Sequence, residues 1–191
     1  MKTFDLKGTV RKGTGKKAAK AVRTEGEVPC VLYGGSETVH FQTKSSGIRK
    51  LLYTPDIYLI NLDIDGKVVS AIVKETQFHP VKDVVLHADF LEVKADEPIV
   101  ISVPVQLEGL AEGVKAGGKL SLEKRKLKVK GLYKHVPERL VVNVESLGLG
   151  KTIQVGRLLF DNLTLLDAKN AVVCAVKLTR AARGAAASAA K

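Results

Sequence analysis

The sequence predicts a mostly β chain of α+β character. An N-terminal antiparallel β-barrel with flanking helices is followed by a C-terminal β-rich domain. Three observations carry this reading. Apolar and polar residues alternate at a period of two through many short runs bounded by Gly, Pro and Asp. Two stretches, one after Gly15 and one after Ser45, instead combine helix-forming residues with helix stops. A polar, Pro-terminated segment, Lys94-Ala-Asp-Glu-Pro98, divides a chain of 191 residues, a length that suits one large or two small domains. The expected division is 1–94, 95–180, and an Ala-rich tail at 181–191. The tail has no apolar face to bury and is expected to be disordered.

Thr3–Val10 alternates weakly and is read as the first strand. Gly13 and Gly15 make the next residues a loop, and a helix is expected from Lys16 until Gly26 stops it. Val28-Pro-Cys-Val-Leu-Tyr33 is a short apolar strand, Gly34-Gly35 a turn, and Val39–Thr43 the returning strand. Ser45 or Ser46 is expected to cap a helix carrying Ile48, Leu51 and Leu52, ended by Pro55. The clearest local signal is Asp65-Gly66 between Ile57–Ile64 and Lys67–Lys74, because both turn residues tolerate the positive φ of a two-residue hairpin. The second of these strands runs to about Phe78, and Val84–Val93 is another. Past Pro98, strands are expected at Ile99–Leu107, Leu120–Leu132, Pro137–Val144, Leu163–Leu166 and Ala171–Lys177. In the second of these, Lys126, Lys128 and Lys130 alternate with Leu127 and Val129, which sets the lysines on one face.

Charge points to the partner. The formal net charge is +11, a balance that favours polyanions through the phosphate term. It is uneven: residues 1–26 hold 8 basic and 2 acidic side chains, residues 27–97 hold 7 and 11, and residues 98–191 hold 16 and 7. The front end concentrates Arg11, Lys12, Lys16, Lys17, Lys20 and Arg23 without an acid among them. On a helix Lys16, Lys20 and Arg23 fall at i, i+4 and i+7, so they share a face and repel one another. A docked polyanion would relieve that repulsion; a solvated basic helix is the competing reading.

Other chemistry finds little support. Cys30 and Cys174 each lie in apolar runs and are read as core thiols. His40, His79, His87 and His135 lack zinc spacing with them, so neither metal nor cofactor is expected. The chain opens with no signal peptide, and no apolar run is long enough to cross a bilayer, so cytoplasmic residence is expected. Gly148-Leu-Gly-Lys-Thr152 has one residue between its glycines where a phosphate loop needs four, and is read as a turn. His87 and Asp89 stand at i, i+2 on one strand and therefore share a face. With no nucleophile or second carboxylate converging on them, the pair suits hydrogen bonding to RNA better than catalysis; a plain solvent-facing pair is the competing reading. Tyr33, ending its strand, is placed to set a phenol against a ribose or base, or to sit in the core rim.

Gly15-Lys-Lys-Ala-Ala-Lys20, Val28-Pro-Cys-Val-Leu-Tyr-Gly-Gly35, Gln77-Phe-His-Pro80 and Leu86-His-Ala-Asp-Phe90, in this order and spacing, resemble the bacterial large-subunit ribosomal protein family number twenty-five. The second half resembles the extra domain of its long form, the general stress protein CTC type, at Gly113–Gly118, Val136-Pro137 and Leu147–Gly150. The resemblance implies a non-enzymatic structural protein of the 50S subunit, a monomer within the ribosome. It also implies binding of 5S rRNA at the internal loop called loop E, with neighbouring rRNA and ribosomal proteins as further partners. A stress or translation-regulating protein acting partly off the ribosome is the alternative. Carried over position by position, Arg11 and Lys16 match the family's loop cations, and Lys20 and Arg23 its basic helix positions. Tyr33 matches the Tyr before Gly-Gly, Gln77 and His79 the Gln-x-His-Pro motif, and His87 and Asp89 the His-x-Asp motif. The chain departs from the family at Lys20-Ala21, where two arginines are frequent, and at Phe78, where a basic residue is common. Lysine keeps the charge but not the bidentate fork.

Overall fold

A computed structural model describes residues 1–180; the expectation for 181–191 lies outside them. The chain divides into two compact units, Met1–Ile99 and a second from Val100 onward.

The first unit runs β1 (Lys2–Val10), α1 (Lys16–Thr24), β2 (Glu27–Tyr33), β3 (Val39–Lys44), α2 (Ser45–Leu52), β4 (Tyr58–Ile64), β5 (Lys67–Phe78) and β6 (Val85–Glu92). Its strands close into a barrel in the order β1-β3-β2-β6-β5-β4. Pairs β1–β3, β2–β3, β4–β5 and β5–β6 are antiparallel. Two parallel pairs, β1–β4 and β2–β6, complete the closure. Strand alternation sorts the side chains. Val28, Cys30 and Leu32 of β2 and Ala88 and Phe90 of β6 are buried in the core. Phe41 and Phe90 sit at its centre, fully buried, with ring centroids 5.4 Å apart. The hairpin at Asp65-Gly66 forms as expected: φ is 50° and 89° at the two residues, the pair of positive values that a two-residue turn of this hand needs. The Asp63 carboxylate also accepts the Gly66 N–H at 3.0 Å.

The start of α2 differs from expectation. Lys44 occupies the cap position and no side chain caps the helix. The physical reason is that β3 runs directly into α2: Lys44 is the last extended residue, so Ser45 is already the first residue of the helix, and its N–H bonds the Gly26 carbonyl. Burial of Ile48 and Leu51 holds this helix in place of a cap.

The second unit runs β7 (Ile99–Glu108), α3 (Glu112–Lys115), β8 (Lys119–Leu122), β9 (Lys126–Gly131), β10 (Leu140–Asn143), β11 (Thr152–Gln154), β12 (Thr164–Leu165) and β13 (Val172–Lys177). One sheet has the order β10-β7-β9-β12, another β11-β13-β8. The single strand expected at Leu120–Leu132 is therefore two strands in two sheets. The chain switches sheets at Glu123–Arg125, where the N–H groups of Glu123 and Lys124 both donate to the Val173 carbonyl. Asp167 holds the switch: its carboxylate accepts from Lys124 Nζ at 2.6 Å and from the Lys128 N–H at 2.7 Å. Burial works against its ionisation, but these donors outweigh it and hold the carboxyl below the usual range. The alternation in β9 survives, with Leu127 and Val129 fully buried and the three lysines exposed. The strand expected from Pro137 begins only at Leu140, after a tight turn at Tyr133–His135.

Both cysteines are free and buried, as read from their apolar surroundings. Burial pushes the Cys30 thiol up to about 12. Among the described residues no helix is long and apolar enough to cross a membrane.

Two outcomes test this packing. Phe90→Ala should destabilise the first unit by about 3–5 kcal/mol, read from urea unfolding; a loss below about 1 kcal/mol would contradict the core assignment. Asp167→Asn should destabilise the protein at neutral pH. A depressed carboxyl contributes stability above its unfolded value and loses it as pH falls through its folded one. The gap between variant and wild type should therefore narrow below roughly pH 4. A gap independent of pH would show that ionised Asp167 does not hold the switch.

Candidate nucleic-acid interface

The site begins with α1. Gly15 precedes it at φ 92°, ψ −179°, a conformation that strains any side chain. No side chain caps this end and no acid stands in its first turn. Its open N–H groups and the positive end of its dipole thus lie beside exposed Lys16 and Lys17. Val22 is the buried anchor of the helix, which packs on β2. Lys16, Lys20 and Arg23 remain exposed. Arg23 also ties the helix to the barrel, because its Nε donates to the Leu86 carbonyl of β6 at 3.0 Å.

Beside this helix the barrel presents an outward row. The register pairs His40 with Val31, Val31 with Asp89, and Asp89 with Glu75, across β3, β2, β6 and β5. Gln77 pairs with His87 across the same β5–β6 ladder. Outward residues of β6 stand two apart, so His87 Nδ1 meets Asp89 Oδ1 at 2.7 Å, both side chains partly exposed. Tyr33 ends β2 close by. Partial burial and then the charges of Asp89 and Glu75 push its phenol above the ordinary tyrosine range.

The remaining two candidates are committed locally. Arg11 donates from its N–H to the His40 carbonyl at 2.9 Å and from Nη2 to the Gly13 carbonyl at 3.1 Å. Its Nε is buried without a partner among the described residues. His79 organises the turn after β5: its Nδ1 accepts the N–H groups of Val81 and Lys82, each at 3.2 Å. Only its Nε2 is left to meet a ligand. Phe78 packs edge-on against Tyr53, with centroids 5.8 Å apart.

The barrel thus brings Tyr33, Gln77, His87 and Asp89 onto neighbouring strands, with the α1 cations attached through Arg23. Sequence reasoning missed His40 and Glu75 as members of this row. Alternation around buried Phe41 was the available signal for His40; Glu75 gave none, because a bulge lies between Val73 and Glu75. Among the described residues no group of His, Cys, Asp and Glu could hold a metal.

Residues 6–90 match the Ribosomal L25p family, and residues 98–180 match the C-terminal domain of ribosomal protein TL5. These matches set the chain among ribosomal proteins. It is 60% identical over 196 aligned residues to large ribosomal subunit protein bL25 of Bacteroides thetaiotaomicron, with the whole of both chains covered. The bL25 of Azobacteroides pseudotrichonymphae is 62% identical, covering 96% of this chain and 97% of that one. The bL25 of Porphyromonas gingivalis is 61% identical, covering 97% and 98%. The chain belongs to the bL25 family.

The Tyr33 environment is directly testable. In an alkaline absorbance titration of the four tyrosines, Tyr33→Phe should remove a step above the usual value of about 10. Asp89→Asn should move that step down; an unmoved step would separate the two side chains.

Proposed function

We propose that the outward row of the barrel and the cationic face of α1 together bind 5S rRNA, at the irregular internal loop known as loop E. As a bL25 family member the chain is a structural protein of the large ribosomal subunit, a cytoplasmic particle, and the family is not enzymatic. A stress-specific role off the ribosome is not favoured, since full-length relatives carry the ribosomal name.

One observation carries the RNA reading: a helix of exposed cations is bonded to a strand whose neighbouring outward residues are acids, imidazoles and an amide. Cations suit phosphates, which position a protein without reading sequence. Asp89 and Glu75 repel phosphates and accept hydrogen bonds, so they suit amino groups and 2′-hydroxyls. A regular A-form major groove is too deep and narrow for that contact, whereas the shallow minor groove of a helix with noncanonical pairs offers it. In this reading Arg11, Lys16, Lys20 and Arg23 anchor the backbone. Tyr33, Gln77, His79, His87 and Asp89 orient the protein and read the RNA, and His87 keeps the Asp89 carboxylate in place.

Lys16→Ala should weaken binding to a 5S transcript by about 1–2 kcal/mol. The salt slope should also become shallower by somewhat under ~1 unit. Unchanged affinity and slope in a filter-binding salt series would remove Lys16 from the interface. Asp89→Ala removes no phosphate contact, so it should reduce discrimination between 5S and a plain duplex at nearly constant slope. An equal effect on both RNAs would argue against readout by Asp89.

A further inference from the structure

We infer that the second unit carries an anion site of its own, a cleft beside β11 that takes a phosphodiester of ribosomal RNA. The cleft has a volume of about 540 Å³ and is lined by Lys151, Arg157, Ser146, Thr152 and Asn143, with no carboxylate in its wall. The two cations flank β11, one on each side. Lys151 and Arg157 are exposed, and neither makes an ion pair or side-chain hydrogen bond among the described residues. This contrasts with Lys124 and Lys177 of the same unit, which are held by Asp167 and Glu123.

The backbone beneath both cations is fixed. The Lys151 carbonyl accepts from Val176 of β13 at 3.0 Å, and the Gly150 N–H donates to the Val176 carbonyl at 3.0 Å. On the other side, the N–H groups of Val155 and Gly156 donate to Ala171 and Lys169 carbonyls, each at 2.9 Å. Only the side chains need to be ordered by a ligand, which lowers the entropy lost on binding. The hydroxyls of Ser146 and Thr152 make no hydrogen bond among the described residues, so they add uncommitted donors to the two cations. Leu147, Ile153 and Leu158 complete the wall and give a sugar an apolar surface to lie on. The Gly148–Thr152 turn, dismissed as a nucleotide-hydrolysing loop, thereby gains a simpler use: it projects Lys151 into this cleft.

Residues 98–191 hold 16 basic and 7 acidic side chains, so the unit attracts polyanions before any contact forms. The inference rests on the chain being a ribosomal component, but not on the barrel binding 5S rRNA. A suitable probe is the large subunit depleted of this protein, recombined with the full-length chain and followed by hydroxyl-radical footprinting and a salt series. The double variant Lys151→Ala/Arg157→Ala should bind about tenfold more weakly, with a slope shallower by about one to two units. It should lose backbone protections at rRNA positions that Lys16→Ala leaves intact. Lys151→Arg/Arg157→Lys should restore them. If the double variant melts early, Arg157→Gln alone is read in the same way. Unchanged protections and affinity would overturn the proposal. So would unchanged rRNA protections with lost cross-links to a neighbouring protein, which would give the cleft to an acidic polypeptide. Loss of 5S protections by Lys16→Ala reports on the barrel separately, so either site can fail alone.

Discussion

Closure of the barrel by two parallel strand pairs is the constraint on which the rest depends. The antiparallel pairs alone would leave β1 and β4, and β2 and β6, as open edges. Pairing them fixes the register of all six strands, and with it which side chains face the core and which face outward. A slip of one residue in β6 would drive His87 and Asp89 into a core now filled by Ala88 and Phe90. The apolar centre around Phe41 and Phe90 therefore specifies the polar row outside it.

That row matters because of its neighbour. An isolated cationic helix grips any nucleic acid, and an isolated acidic strand grips none. Here the two are tied by the bond from Arg23 to the Leu86 carbonyl, one residue before His87. Attraction toward phosphates and rejection of them therefore stand within one surface, the combination on which the proposed selectivity for one RNA shape rests. The polar contact between His87 and Asp89 sits partly exposed. Such a pair adds little stability, but it orients the carboxylate at the centre of the row.

The sequence made local structure legible where the cause is local. Asp65-Gly66 announced its hairpin, Gly15 and Gly26 bracketed α1, and His-x-Asp placed its pair on one face. Causes at long range were hidden. Nothing near Leu120–Leu132 reveals that β8 and β9 belong to different sheets, because the break is set by Val173 and Asp167 far along the chain. Ser45 looked like a cap, but β3 runs through Lys44 straight into α2 and makes Ser45 its first helical residue. At the candidate site the motifs supplied Tyr33, Gln77, His87 and Asp89 one by one, but only strand register joins them to His40 and Glu75. The cleft beside β11 was invisible for the same reason: its two cations come to line one cleft only through the fold of the strand between them.

The most direct test of the central claim is a competition experiment with the unaltered full-length chain. Labelled 5S transcript is bound at moderate ionic strength and displaced with unlabelled 5S or with a regular A-form duplex of equal length. If charge and readout act as one surface, the duplex should be needed in about ten- to hundredfold greater excess, the margin of one or two good readout contacts. Equal displacement by both RNAs would leave only the positive charge and contradict the account.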